Sequence, residues 1–219
     1  MFPCINILFT FVAVKAKTEQ LLLRVRKIFL RCGLRNVTMD DVSREMGISK
    51  KTLYQFVTDK NDLVLKTVSR EIEQDEERVK ELMNQHLNVI DELFAISRFI
   101  SERFQEIHPS TLFEMQKYYP EAWQVFEAHR LGFIIDTIQA NVERGIKEGM
   151  YREDINPGLI ARLYCEKIDL LVDHSRLSSD IVNPQEFFLE TLKYHLRGVC
   201  NVAGLQYLED KLIQMQSSN

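Results

Sequence analysis

Apolar residues recur at helical spacing along almost the whole chain. Leu22, Val25, Phe29 and Cys32 fall three or four apart, the interval that places side chains on one face of an α-helix. Thr18 stands where it can cap this helix and Gly33 where it can end it. Thr38 opens a second helix, with Asp41 at capping-box spacing and Val42 and Met46 as the buried stripe. Gly47 breaks it. Ser49 caps a third helix of about Lys50 to Val57, too short to be helical without tertiary packing. A long helix from Asp59 or Lys60 to Gln85 takes its stripe from Leu65, Val68, Ile72, Val79 and Leu82. Its middle, 73–78, has no apolar residue, a pattern that suits a bridge between domains.

Further helices are predicted over 86–107, 110–118 and 121–148, stopped by Pro109, Pro120 and Gly149. Asn156-Pro157 and Asn183-Pro184 are matching starts, each with Asn as N-cap and Pro at the first helical position. They open helices of about 157–175 and 184–203. Leu205 to Gln216 forms a last one. No segment alternates with the period of a strand. The expectation is an all-α protein of about nine to ten helices.

Composition agrees. Gly (8) and Pro (5) together are scarce, roughly half the usual share of about 12%. The 45% apolar content excludes disorder. Cysteines at 4, 32, 165 and 200 form no C-x-x-C pair, which leaves no zinc ribbon or thioredoxin-like motif and implies reduced thiols in a cytoplasm. The five histidines show no H-x-x-x-H spacing, and no phosphate-binding glycine loop or nucleophile elbow stands out. Glu166, Asp169, Asp173 and His174 share a helix at i, i+3, i+7 and i+8. A solvated acidic face outweighs a metal site there. The expectation is no enzyme, no cofactor and no metal.

Residues 1–14 carry no charge, and Phe2, Ile5, Ile7, Leu8, Phe9, Phe11 and Val12 make them apolar. This run is shorter than the ~20 residues that span a bilayer, so no membrane partner is expected. Three readings stand: an extra turn or strand docked on the body, an arm packing on a partner chain, or a misassigned start with translation beginning near Val14–Lys15. The last is favoured.

The net charge of −4 conceals a division. Residues 15–70 hold 13 bases and six acids, a net of +7, whereas 71–219 carries −11. A basic quarter on an acidic body points to one surface that attracts a polyanion. On a helical wheel Lys50, Lys51, Tyr54 and Gln55 share one arc of the third helix, Leu53 and Phe56 take the opposite arc, and Thr52 lies on the border. A polar front on a greasy back is what a helix in a DNA groove needs. Thr38 and Ser49 sit at helix N-termini, whose free N–H groups favour anions, and Lys60 opens the long helix.

The run Thr38–Leu63, TMDDVSREMGISKKTLYQFVTDKNDL, resembles the DNA-binding region of the TetR (tetracycline-repressor) family of bacterial transcription regulators. The matching elements are Thr38, Val42, Gly47-Ile48-Ser49, Thr52-Leu53-Tyr54, Lys60 and Leu63, and the likeness covers about residues 18–65. Lys51 departs from a frequent small Gly, Val57 from Phe, and Phe56 from Tyr or His. The resemblance implies a helix-turn-helix domain over 15–62, beyond the apolar leader 1–14, and an effector-binding and dimerisation domain over 63–219. Thr38, Tyr54 and Lys60 would contact phosphates; Lys50, Lys51 and Thr52 would face the major groove with Gln55 nearby. The implied protein is a homodimeric repressor of a double-stranded DNA operator, modulated by a small-molecule effector. Leu163, Leu170, Phe188, Leu192, Leu196 and Val199 are candidates for the dimer interface, with intramolecular core as the competing reading. Phe94, Phe113, Gln116, Tyr119, Trp123, Phe126, His129 and Phe133 are candidates for an effector pocket, with core packing the stronger reading for any single aromatic. The rival class is a helical small-molecule-binding or metal-dependent protein whose helix-turn-helix no longer reads DNA.

Overall fold

The computed structural model describes residues 4–108, 110–172 and 183–217. It is all-α. The helices are α1 (Cys4–Cys32), α2 (Met39–Met46), α3 (Lys50–Leu53), α4 (Lys60–Met83), α5 (Val89–Glu106), α6 (Thr111–Tyr118), α7 (Pro120–His129), α8 (Ile135–Lys147), α9 (Pro157–Val172), α10 (Pro184–Val199) and α11 (Val202–Ser217). A π-helical stretch, Arg130–Ile134, joins α7 to α8, so these two make one run and the described chain has ten rods. The only bridge outside helices among the described residues pairs Tyr151 with Cys200.

Several predicted boundaries move. Helix α1 begins upstream of Thr18 and includes residues 4–14, so Thr18 is an interior residue and not a cap. The segment 50–57 is α-helical only to Leu53. Beyond it the turn tightens, with Gln55 N–H donating to the Thr52 carbonyl at 3.1 Å and Phe56 N–H to that of Leu53 at 3.0 Å. The helix expected from His86 starts at Val89, because Asn88 Oδ1 accepts the Ile90 N–H at 2.9 Å and His86 takes a left-handed φ of 52°. The segment 184–203 divides at Cys200, where Arg152 N–H donates to the Val199 carbonyl and Asn201 N–H to that of Met150. The Asn201 side chain then caps α11 through the Gly204 N–H at 3.0 Å. Asn183 caps α10 through the Gln185 N–H at 2.9 Å, and Asn156 binds the Leu159 N–H at 3.0 Å, as their spacing predicts. Pro109, Asp173 and His174 lie outside the described residues.

The chain divides into two compact units. One holds the described residues up to Glu73 together with Ile107–Phe126; the other holds Gln74–Glu106 and the described residues from Glu127 onward. Helix α6 and most of α7 therefore group with the N-terminal helices. The first unit buries Val25, Phe29, Leu34, Val42, Leu53, Leu63 and Val64, and also Leu112, Met115 and Tyr119. The second has its core among α5, α8, α9, α10 and α11, where Ile90, Leu93, Val142, Tyr151, Leu192, Leu196 and Leu208 are buried.

The polar run 73–78 has a use besides solvation. Within the second unit Asp75 pairs with Arg103 at 2.9 Å, and Glu76 lies 2.9 Å from His129 Nδ1 and 3.2 Å from Lys80 Nζ. Although burial opposes it, the hydrogen bonds from His129 and Lys80 hold the Glu76 carboxyl below the usual glutamate range.

Candidate nucleic-acid interface

Three local devices build α2 and α3. Thr38 and Asp41 form the reciprocal box: Thr38 Oγ1 accepts the Asp41 N–H at 3.2 Å, and Asp41 Oδ2 accepts the Thr38 N–H at 2.9 Å. Hydrogen bonds from Thr38 hold the Asp41 carboxyl below its ordinary value. Gly47 closes α2 in the left-handed region, φ 68°, where a side chain would be strained. Ser49 Oγ accepts the Thr52 N–H at 3.1 Å and lies 2.9 Å from the Thr52 hydroxyl. Leu53 is wholly buried beneath, at 0% exposure.

This arrangement turns Ser49, Lys50, Lys51, Tyr54 and Gln55 outward, with Thr52 half-buried at the edge. Tyr54 exposes 48% of its surface although it is aromatic. The polar front and apolar back predicted from the wheel are both present. Arg24 Nη2 donates to the Glu45 carbonyl at 2.8 Å, near the end of α2. Lys66 Nζ donates to the Phe56 carbonyl at 2.9 Å and pairs with Asp62 at 2.9 Å. Asp59 Oδ1 takes the Asp62 N–H at 2.9 Å, which anchors the start of α4.

Two cations have partners the sequence did not reveal. Lys50 Nζ meets Asp40 Oδ1 at 2.6 Å, and that hydrogen bond raises the lysine pKa. Lys60 Nζ donates to the Arg35 carbonyl at 2.9 Å and stands 5.7 Å from the Tyr119 ring centre. Burial pulls its pKa below the ordinary lysine value, against the opposing charges of Glu114 and Asp41. Asp40, Arg35 and Glu114 are thus the residues that sequence reasoning missed. Their contacts join separate elements, and no local spacing announces them.

The aromatic candidates divide between the two units. In the first, Phe113 and Gln116 are exposed, Tyr119 is buried with its hydroxyl donating to the Leu34 carbonyl at 3.3 Å, and Trp123 packs against Phe126 with centroids 5.3 Å apart. In the second, His129 stacks on Phe133 at 5.5 Å, Lys80 lies 5.0 Å from the Phe133 ring centre, and Phe94 is a core residue beside Lys211. The structure brings His129 and Phe133 together and Trp123 and Phe126 together.

The dimer candidates divide by burial. Phe188, Leu192, Leu196 and Val199 are between 0% and 4% exposed. They pack in this chain's own core, the competing reading for this stripe. Leu163 is outward, at 59%, and Leu159 and Tyr194 share that exposure. The side chain of Leu170 lies outside the described residues. Among the described residues no helix is long and apolar enough to cross a membrane, and no three His, Cys, Asp or Glu side chains gather as a metal site.

These features form a helix-turn-helix, and known proteins that carry one are similar to this chain. No family model matches the chain. It is 28% identical over 141 residues to the uncharacterized HTH-type transcriptional regulator YvaF of Bacillus subtilis, covering 62% of this chain and 71% of that protein. Its fold resembles that of a TetR-family regulator from Agrobacterium tumefaciens, with a TM-score of 0.68 at 18% identity over 86% of this chain and all of that one. It also resembles a regulator from Saccharomonospora viridis in complex with choline, with a TM-score of 0.71 at 14% identity over 85% and 99% of the two chains. The fold is thus one that a TetR-family transcriptional regulator also has.

Proposed function

We propose that the protein is a repressor that binds a pseudo-palindromic operator as a homodimer and is modulated by a small-molecule effector. The observation that carries the DNA reading is the front of α3: a Ser49-capped turn, seated on Leu53, with Lys50, Lys51, Tyr54 and Gln55 outward. Thr38, Tyr54 and Lys60 contact phosphates in this reading, and Ser49, Lys50, Lys51, Thr52 and Gln55 meet the major groove. Residues 15–62 form the reading head. Residues 63–219 serve effector binding and dimerisation.

Lys50 must exchange Asp40 for a base edge on binding. Both groups are more than half exposed, at 52% and 59%, so little free energy opposes that exchange. The outward face of α9 and α10, with Leu159, Leu163 and Tyr194, is the proposed dimer surface. Two heads on one duplex would then stand about 34–36 Å apart. The effector reading rests on the His129–Phe133 stack with Glu76 and Lys80 beside it, and on the choline bound by a regulator of similar fold. An aromatic face next to a carboxylate suits a ligand that is part apolar and part polar.

The test is selection of bound fragments from genomic DNA at modest ionic strength, repeated with candidate small molecules. A recurring inverted repeat is expected. Lys50→Ala should change preference at particular base pairs by about 1–3 kcal/mol each. No preferred fragment, with or without ligands, would overturn the reading.

A further inference from the structure

The loop between α1 and α2, residues 33–37, is held by a side chain 79 positions away. Glu114 of α6 is 8% exposed; its Oε2 accepts the Arg35 N–H at 2.8 Å and its Oε1 accepts the Ser110 hydroxyl at 2.8 Å. The carboxylate lies close over Gly33, where a Cβ would stand 3.1 Å from Oε2. Arg35 is gripped at both backbone groups, because its carbonyl takes the Lys60 ammonium at 2.9 Å. One residue earlier, the Leu34 carbonyl accepts the Tyr119 hydroxyl, and the Tyr119 ring lies beneath Lys60. All these groups belong to the first compact unit.

We infer that Glu114 is a positioning residue for DNA binding: by fixing Arg35 it sets where the Lys60 ammonium stands toward a duplex phosphate. The inference rests on the DNA-binding reading above and adds to it a residue outside the helix-turn-helix. A carboxylate is a costly way to fill a protein interior, and an apolar side chain of that size would pack without the cost. What the carboxylate supplies is a fixed acceptor for one backbone N–H. An ammonium group has three N–H donors. Lys60 spends one on Arg35, which aims the remaining two.

Two conservative variants of the full chain separate position from charge. Glu114→Asp keeps the charge but is one methylene too short for the Arg35 N–H; Glu114→Gln keeps the length and the acceptor oxygen. Binding is measured on the selected operator and on an unrelated duplex across a salt series, with folding checked by circular dichroism. E114D should weaken both duplexes by the same factor and flatten the slope of log Kd against log salt by about 0.9 per lost phosphate contact. E114Q should match the wild type in slope and lie within about twofold in affinity. Adding Lys60→Ala to E114D should produce no loss beyond that of Lys60→Ala alone. A wild-type slope in E114D, or an E114Q as impaired as E114D, overturns the inference while the DNA reading stands. A wild-type protein that binds no duplex overturns both.

Discussion

Gly145 shows how one missing side chain serves the second unit. A Cβ there would lie 2.1 Å from Cδ2 of the Tyr151 ring. That ring is 1% exposed, and its hydroxyl donates to Asn141 Oδ1 at 3.1 Å. Asn141 donates in turn to Glu92 at 2.9 Å, and Arg144 pairs with the same buried carboxylate at 2.9 Å. In an exposed helix Gly→Ala would gain up to about 1 kcal/mol. Here the clash dominates, and Gly145→Ala should lower stability by about 1–3 kcal/mol, read from the urea midpoint. His195 offers a second test. It is 4% exposed, packs edge-on against Tyr164 with centroids 4.8 Å apart, and leaves Nε2 without a partner. Burial, assisted by the charge of Lys167, lowers its pKa to about 4 from 6.5. Between those values the unfolded chain binds the proton and the folded chain does not. Stability is therefore fully present above pH 6.5 and falls as the pH drops toward 4. His195→Phe should flatten that part of a stability–pH curve.

At the scale of elements, α3 has the least support of its own. Four residues cannot sustain a helix. The Ser49 cap and the buried Leu53 hold it in place. Leu53→Ala should cost about 2–5 kcal/mol and remove operator binding, with little change in the helix signal, because so few residues are in α3. Circular dichroism and a binding titration on one sample check both. The three turns and caps of this region were legible in the sequence: Thr38–Asp41, Gly47 and Ser49 act through neighbours three residues apart. The boundaries that moved did so where a distant group took a backbone bond. Cys200 stops α10 because Met150 and Arg152 pair with the residues beside it. No periodic pattern within 184–203 could carry that information.

At the scale of the molecule, the proposed homodimer divides the chain's apolar residues between its own core and a second copy. Helix α10 illustrates why periodicity alone does not decide. Phe188, Leu192, Leu196 and Val199 form a stripe that suits either use, and the structure turns it inward. Leu163 of α9 and Tyr194 of α10 are left outward at 59% and 71%. Leu163→Glu should therefore leave the fold intact and shift the protein from dimer to monomer in light scattering, with a loss of operator affinity on the same samples. A variant that stays dimeric would move the interface elsewhere on the surface.

The sequence by itself determined the all-α class, the helix-turn-helix and the charge division, because caps, glycine turns and helical periods act over three or four residues. It also carried the family likeness in Thr38–Leu63. Only the tertiary structure decided that α6 groups with the N-terminal helices, that Glu114 holds Arg35, and that Lys50 and Lys60 have partners within the chain. Those facts depend on side chains brought together from tens of positions apart. Whether a polar or apolar residue meets solvent, a partner or the core is settled only when the helices pack.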